Sequence, residues 1–286
     1  MYRAFDDNEP FIWTSSQELY IIPQLRKAPR LKWMKNEDFK YLYERLKEPS
    51  DIDSLSKELN LDRELLTVIY TQRTQRESMK KHYKVKRDAP RLLRSWRSGE
   101  TLLEIARRYE FPPVLTGLVL FNESGRSNKQ YWALVRNPEA ITDKELRRQI
   151  EEITAADIVN SPEGDQKQKL RGKWGEKNLQ DWLDSQGITY RTEKDLRGNF
   201  EKTPDALLDK PIVVNGWKIN WIESKASFGD FVEVNKNTRK QLSPYVGLFG
   251  QGLVVYWFGF VDEITMEDGI YITDSSLTRL NCRPVD

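Results

Sequence analysis

Cysteine and histidine are nearly missing from this chain: among its 286 residues Cys282 is the only thiol and His82 the only imidazole. One cysteine cannot form an internal disulfide framework or a cysteine-built zinc cluster. His82 lies in a basic run and reads as a solvated side chain. That leaves no histidine for Ser-His-Asp or Cys-His catalysis, and it excludes a metal site built on several imidazoles. Any metal would have oxygen ligands, a donor set that favours Mg²⁺ or Mn²⁺. Net charge is scarce too. A formal +2 gives almost no support to nucleic-acid binding by bulk charge, but the charge is unevenly spread. Basic residues outnumber acidic ones from Arg63 to Arg108, whereas Glu139 to Asp165 leans acidic. Long apolar runs are absent, and MYRAFDDNEP at the N-terminus lacks a signal-peptide core. The expectation is an intracellular chain with no membrane partner, cytoplasmic if prokaryotic or archaeal, nuclear and cytoplasmic if eukaryotic.

Charge of both signs is abundant, at 31%, beside 38% hydrophobic residues, in a chain long enough for one large domain or two or three ordinary ones. Residues 1–35 are aromatic and proline-punctuated, and read as an irregular arm. From Asn36, the spacing of Phe39, Leu42, Tyr43 and Leu46 predicts a helix stopped by Pro49. DIDSLSKELNLDRELLTVIYTQRTQRESMKKHYKVKR predicts a short helix, a break near Asn60 and a longer helix, with Leu55, Leu59, Leu65, Leu66 and Ile69 on packed faces. A second unit of similar shape follows. RLLRSWRSG reads as a helix ended by Gly99, TLLEIARRYE as a helix with Thr101 as N-cap, and PPVLTGLVLF as a third. Residues 36–127 therefore read as tandem helix-turn-helix units; a plain helical scaffold has the same periodicity. In the longer helix, Arg73, Arg76, Lys80, Lys84 and Arg87 recur at steps of three or four, along one face. Such a stripe suits phosphate contacts, and it equally suits a face kept soluble by charge. Residues 128–162, with the helix TDKELRRQIEEI, read as a spacer. Over 163–286 helices and strands alternate, an α/β arrangement.

The stretch TPDALLDKPIVVNGWKINWIESK, residues 203–225, carries the chemistry. Asn215-Gly216 is a strong two-residue hairpin signal, so the PIVV and WKINWIESK strands are expected to run antiparallel. Period-two alternation puts Trp217, Ile219, Trp221, Glu223 and Lys225 on one face. The hairpin returns Glu223 and Lys225 toward Asp205. Like charges a few ångströms apart repel by several kcal/mol at an effective dielectric of about 20. A divalent cation between Asp205 and Glu223 would remove that repulsion, with Lys225 placed to orient water or to neutralise charge developing on a phosphoryl group. A structural Glu-Lys pair at a sheet edge is the other reading. Upstream, RGKWGEKNLQDWLDSQG predicts an amphipathic helix closed by Gly187, with Gly172 and Gly175 inward and Glu176 at the margin of the buried face.

P-D, then E-S-K, preceded by a helix carrying Glu176, resembles the PD-(D/E)xK nuclease core, a restriction-endonuclease-like mixed-sheet domain. RKQLSPYVGL adds Gln241 and Tyr245, similar to the Q-x-x-x-Y element of many such nucleases. More narrowly, KTPD at 202–205, WIESKASFGD at 221–230, DLRG at 195–198 and GQGLVVYWFGF at 250–260 resemble the TPD-domain family, which includes a codanin-interacting nuclease of animals and archaeal relatives. The resemblance implies a metal-dependent nuclease in which Asp205 and Glu223 bind Mg²⁺ or Mn²⁺ and Lys225 serves catalysis. Glu176 would add a ligand or orient water, and Gln241 and Tyr245 would position the lysine or the backbone. It implies an α+β chain whose helical N-terminal units bind nucleic acid, DNA before RNA, and a codanin-like protein partner in a eukaryote. An adaptor with a nuclease fold but little activity, and a nuclease for RNA or branched junctions, are the competing readings.

Overall fold

The computed structural model describes residues 34–279 and Cys282, together with the backbone of 12–15, 18–21, 283 and 284. The arm expected over 1–35 lies mostly outside the described residues. Its described backbone is an antiparallel hairpin of β1 (Ile12–Ser15) and β2 (Glu18–Ile21). The chain divides into two compact units, the first formed by residues 1–46, 50–69 and 171–286, the second by 47–49 and 70–170.

Helices come first. They are α1 (Asn36–Arg45), α2 (Pro49–Leu59), α3 (Arg63–Arg97), α4 (Leu102–Tyr109), α5 (Pro113–Glu123), α6 (Asn128–Arg136) and α7 (Lys144–Ala156). Between α2 and α3 the chain turns at Asn60, whose φ of 50° is the left-handed conformation asparagine tolerates. The caps follow the sequence signals. Thr101 and Glu104 form a reciprocal capping box on α4, and Asp143 accepts two backbone N–H groups at the start of α7. One boundary differs from expectation. RLLRSWRSG is not a separate helix but the end of the 35-residue α3, which continues through Pro90 to a stop at Gly99 (φ 106°). Proline removes one intrahelical hydrogen bond. Here Val85, Ala89 and Leu92 bury to 2% exposure or less on both sides of it, and that packing holds the helix continuous. The second unit's core joins Val85 and Leu92 to Leu102, Ile105, Phe121, Tyr131, Ile150 and Ile153. Tyr131 and Ile150 come from the stretch expected as a spacer. Tyr131 is fully buried, its hydroxyl donating to the Val114 carbonyl at 2.6 Å.

The sheet lies in the first unit. After α8 (Pro162–Ser185) come β3 (Tyr190–Thr192), the short α9 (Glu193–Leu196), β4 (Ala206–Val214) and β5 (Trp217–Lys225). Then follow α10 (Phe231–Asn237), α11 (Ser243–Phe249), β6 (Gly252–Tyr256), β7 (Ile270–Asp274) and β8 (Cys282–Pro284). The strand order is β3-β4-β5-β6-β7, with β8 on the far half of β4. The expected hairpin is present: Val214 pairs with Trp217, and Asn215 and Gly216 both take positive φ, 49° and 84°. From β5 onward the pairing is parallel. The chain is thus a mixed α+β fold, N-terminal helices followed by a mixed sheet. Among the described residues no helix is long and apolar enough to cross a membrane.

Candidate active site

The end of β5 and the start of β4 converge because the hairpin sets their register. Ala206 pairs with Ile222, so Asp205, just before β4, lies beside Glu223. Two backbone hydrogen bonds tie them. The Asp205 N–H donates to Glu223 Oε2 at 3.3 Å, and the Ser224 N–H donates to Asp205 Oδ2 at 2.8 Å. Glu223 is 4% exposed, on a strand whose remaining inward residues, Ile219 and Trp221, are fully buried. Burial first, then the Glu223 carboxylate, push the Asp205 carboxyl well above the ordinary carboxylate range, while the Ser224 N–H and Lys225 oppose the shift.

Lys225 supplies the internal counter-charge. Its ammonium donates to Glu223 Oε1 at 2.7 Å and to Gln241 Oε1 at 2.6 Å, a geometry that confirms the shared face of Glu223 and Lys225. Gln241 reaches it from a π-helical turn, Thr238–Leu242, set between α10 and α11. The wider turn alters which way the following side chains point, and such turns recur at functional sites. One turn on, the buried Tyr245 donates to the Thr203 carbonyl at 2.8 Å, pinning the TPD loop just ahead of Asp205. Burial and the Glu223 and Asp205 carboxylates raise its phenol far above the usual value.

Glu176 approaches from α8. The helix comes close to the sheet at Gly175, where a Cβ would stand 2.8 Å from the Trp257 ring and 2.9 Å from Ser224 Oγ. Gly172, expected to share that role, faces open space. Glu176 reaches solvent, yet its carboxyl is raised, by partial burial first and then by Glu193 and Glu223. Glu193, at the start of α9, thus adds negative charge to this region; no spacing signal in the sequence pointed to it. Ser224 and Thr203, which act through backbone atoms, stood in the motif but carry no side-chain signal.

The donor set suits a cation. Two acids share a site with one lysine, and burial together with the Glu223 charge raises the Asp205 carboxyl, a penalty that a bound cation would relieve. Among the described residues no three acidic, histidine or cysteine side chains gather into one ligand set. A cation held by Asp205 and Glu223 would complete its shell with water and substrate oxygens, the habit of Mg²⁺.

The predicted basic stripe lies on α3, outside this cluster. Lys80, Lys84 and Arg87 are exposed, while Arg73 and Arg76 are half-buried. Lys80 pairs with Glu77 at 2.8 Å, Arg87 with Asp88 at 3.3 Å, and Lys84 lies 5.6 Å from the centre of the Tyr109 ring.

A family model described as "Protein of unknown function TPD sequence-motif" matches residues 142–276, the stretch that holds every member of the acid–lysine cluster. The chain is similar to proteins named CDAN1-interacting nuclease 1. The zebrafish protein (Danio rerio) is 35% identical over 190 residues, 63% of this chain and 63% of that protein. The mouse protein (Mus musculus) is 31% identical over 188 residues, 62% of this chain and 67% of that protein. The human protein (Homo sapiens) is 32% identical over 175 residues, 58% of this chain and 62% of that protein. The chain therefore spans under two thirds of the zebrafish and human relatives. No solved structure matches.

Proposed function

We infer, for a chain that belongs to the TPD sequence-motif family, that the Asp205–Glu223–Lys225 cluster hydrolyses phosphodiester bonds of DNA with a divalent cation as cofactor. The observation that carries the reading is the buried Glu223 carboxylate set beside the half-buried Asp205 with a single lysine, where β4 begins and β5 ends. A merely structural pair has no need of the second acid, which raises the cost of the site. The name of the relatives, nucleases, points the same way.

In this reading Asp205 and Glu223 hold Mg²⁺ or Mn²⁺. When bound, the cation polarises the scissile phosphate and offsets the charge that develops on it. Lys225, fixed between Glu223 and Gln241, presents its ammonium to the same developing charge or orients the attacking water. The attacking water gives up a proton as its oxygen bonds to phosphorus, the bond from phosphorus to the leaving sugar oxygen breaks, and the leaving oxygen takes up a proton, so that one water is added in all. Tyr245 keeps the loop that carries Asp205 in place. Glu176, on α8, would add a ligand or orient water. The exposed basic residues of α3 contact phosphates. Because the relatives are named for an interaction with CDAN1, a protein partner of that kind is part of the proposal.

The test is cleavage by the purified 286-residue chain of linear, nicked, flapped and branched DNA, with RNA alongside. Mg²⁺ or Mn²⁺ should support turnover and excess chelator should stop it, while Ca²⁺ should bind without turnover. Full activity in chelator would sink the mechanism. Activity on RNA alone would correct the substrate.

A further inference from the structure

Helix α3 carries an exposed apolar pair that neither the core nor the candidate active site uses. Met79 is 72% exposed and Tyr83 76%, the two most exposed large hydrophobic side chains among the described residues. They are four residues apart, neighbours along one face. At 3.6 residues per turn that face lies opposite Val85 and Leu92, which are buried in the second unit's core. The same outward face carries Arg76, Lys80, Arg87 and Arg94. The acids of the stretch sit on its flank, where Glu77 pairs with Lys80, and Asp88 pairs with Arg87 and accepts a hydrogen bond from the Tyr109 hydroxyl at 3.0 Å. On that flank too, Lys81 reaches Glu110 at 2.6 Å.

We propose that Met79 and Tyr83 form a stacking platform for unpaired DNA bases, flanked by the cations of α3, so that the chain prefers DNA with a single-stranded segment. The proposal rests on the nuclease reading and names the substrate class for it. Charge decides the occupant: four cations bracket the pair along the helix, two of them held by the flanking Glu77 and Asp88, and the excess of positive charge complements a phosphate backbone. An aromatic ring held in water has a base face as its natural complement, and stacking of this kind tolerates any sequence. A fully paired duplex hides its base faces and would use only the cations.

Fluorescence anisotropy in excess chelator, where cleavage is silent, separates the outcomes on three labelled DNAs: a single strand, a gapped duplex and a blunt duplex. Tyr83→Ala should weaken binding to the single strand and the gapped duplex by about 5- to 100-fold, with the blunt duplex within about twofold. Tyr83→Phe should keep the wild-type preference, and Met79→Ala should shift it in the direction of Tyr83→Ala by less. Thermal melts of all three variants should overlay the wild type, because both side chains are exposed. Equal losses on all three DNAs, or none, would overturn the platform. So would a Tyr83→Ala variant with unchanged DNA affinity and altered sedimentation, which would assign the face to a second copy of the chain. A wild type that cleaves DNA while indifferent to Tyr83→Ala removes the platform alone; a wild type that neither binds nor cleaves any DNA removes the nuclease reading with it.

Discussion

Burial and the Glu223 carboxylate both hold Asp205 toward its protonated form, so without a bound cation the acid pair costs the folded protein stability. The unfolded chain loses the Asp205 proton near pH 4, whereas the folded chain keeps it to higher pH. The stability this group contributes is thus fully present below about pH 4 and is lost as pH rises toward the folded value. In chelator, the melting temperature should fall over that window more steeply for the wild type than for Asp205→Asn, and added Mg²⁺ should restore the wild type alone. Asp205→Asn and Glu223→Gln should reduce cleavage to background while the circular dichroism spectrum stays native. An unfolded Asp205→Asn would mean that the carboxylate is structural. Lys225 is held from both sides, which gives graded expectations. Lys225→Ala should cost about 10²–10³ in kcat, with cation affinity, read by calorimetry, largely retained. Gln241→Ala removes one charge-assisted hydrogen bond and should cost about 10- to 100-fold, with KM little changed.

Helix α3 shows what can be read locally and what cannot. Its basic residues were legible as a stripe, but all five already have partners in the chain. Phosphate binding must therefore compete with those contacts. Replacing Arg76 and Lys80 together with Ala should weaken binding uniformly across DNA sequences and flatten the slope of log K against log salt by at most about two units. Cleavage at saturating substrate should survive, and an unchanged salt slope would return the stripe to a solvating role. The same helix hid its length, because a proline is a local stop signal and the burial of Val85, Ala89 and Leu92 that overrides it is tertiary. Turn chemistry carried the opposite lesson. Asn215-Gly216 fixes both φ signs by itself, so the hairpin, and with it the meeting of Asp205, Glu223 and Lys225, was visible in the sequence. Parallel pairing of β5 with β6 and the existence of β7 were not, since long-range partners leave no local mark. The Gln241 contact depends on a π-helical turn that no propensity announces.

At the scale of the whole molecule, the segments that build the sheet's unit are discontinuous in the chain. Residues 163–286 read as a PD-(D/E)xK-like domain, and the unit that holds the sheet also draws on residues 34–46 and 50–69. Phe39 stacks on Phe228 with ring centres 5.3 Å apart, close to the motif that follows Lys225. Met34 bridges to Val261, and Arg171 on α8 pairs with Glu64 at 2.7 Å with the arginine only 12% exposed. Cutting the chain at 163 would bare Phe228 and leave the Arg171 guanidinium half-buried with no acid beside it, a cost of several kcal/mol where a domain has about 5–15 in all. The fragment 163–286 should accordingly be insoluble or bind a hydrophobic dye, and should show no cooperative melt, although every residue of the acid–lysine cluster is present in it. Restoring residues 34–69 as a separate polypeptide should recover part of the melt. A fragment 163–286 that melts cooperatively and cleaves DNA at the full-length rate would show that the helical segments are dispensable and that the sheet carries its own core.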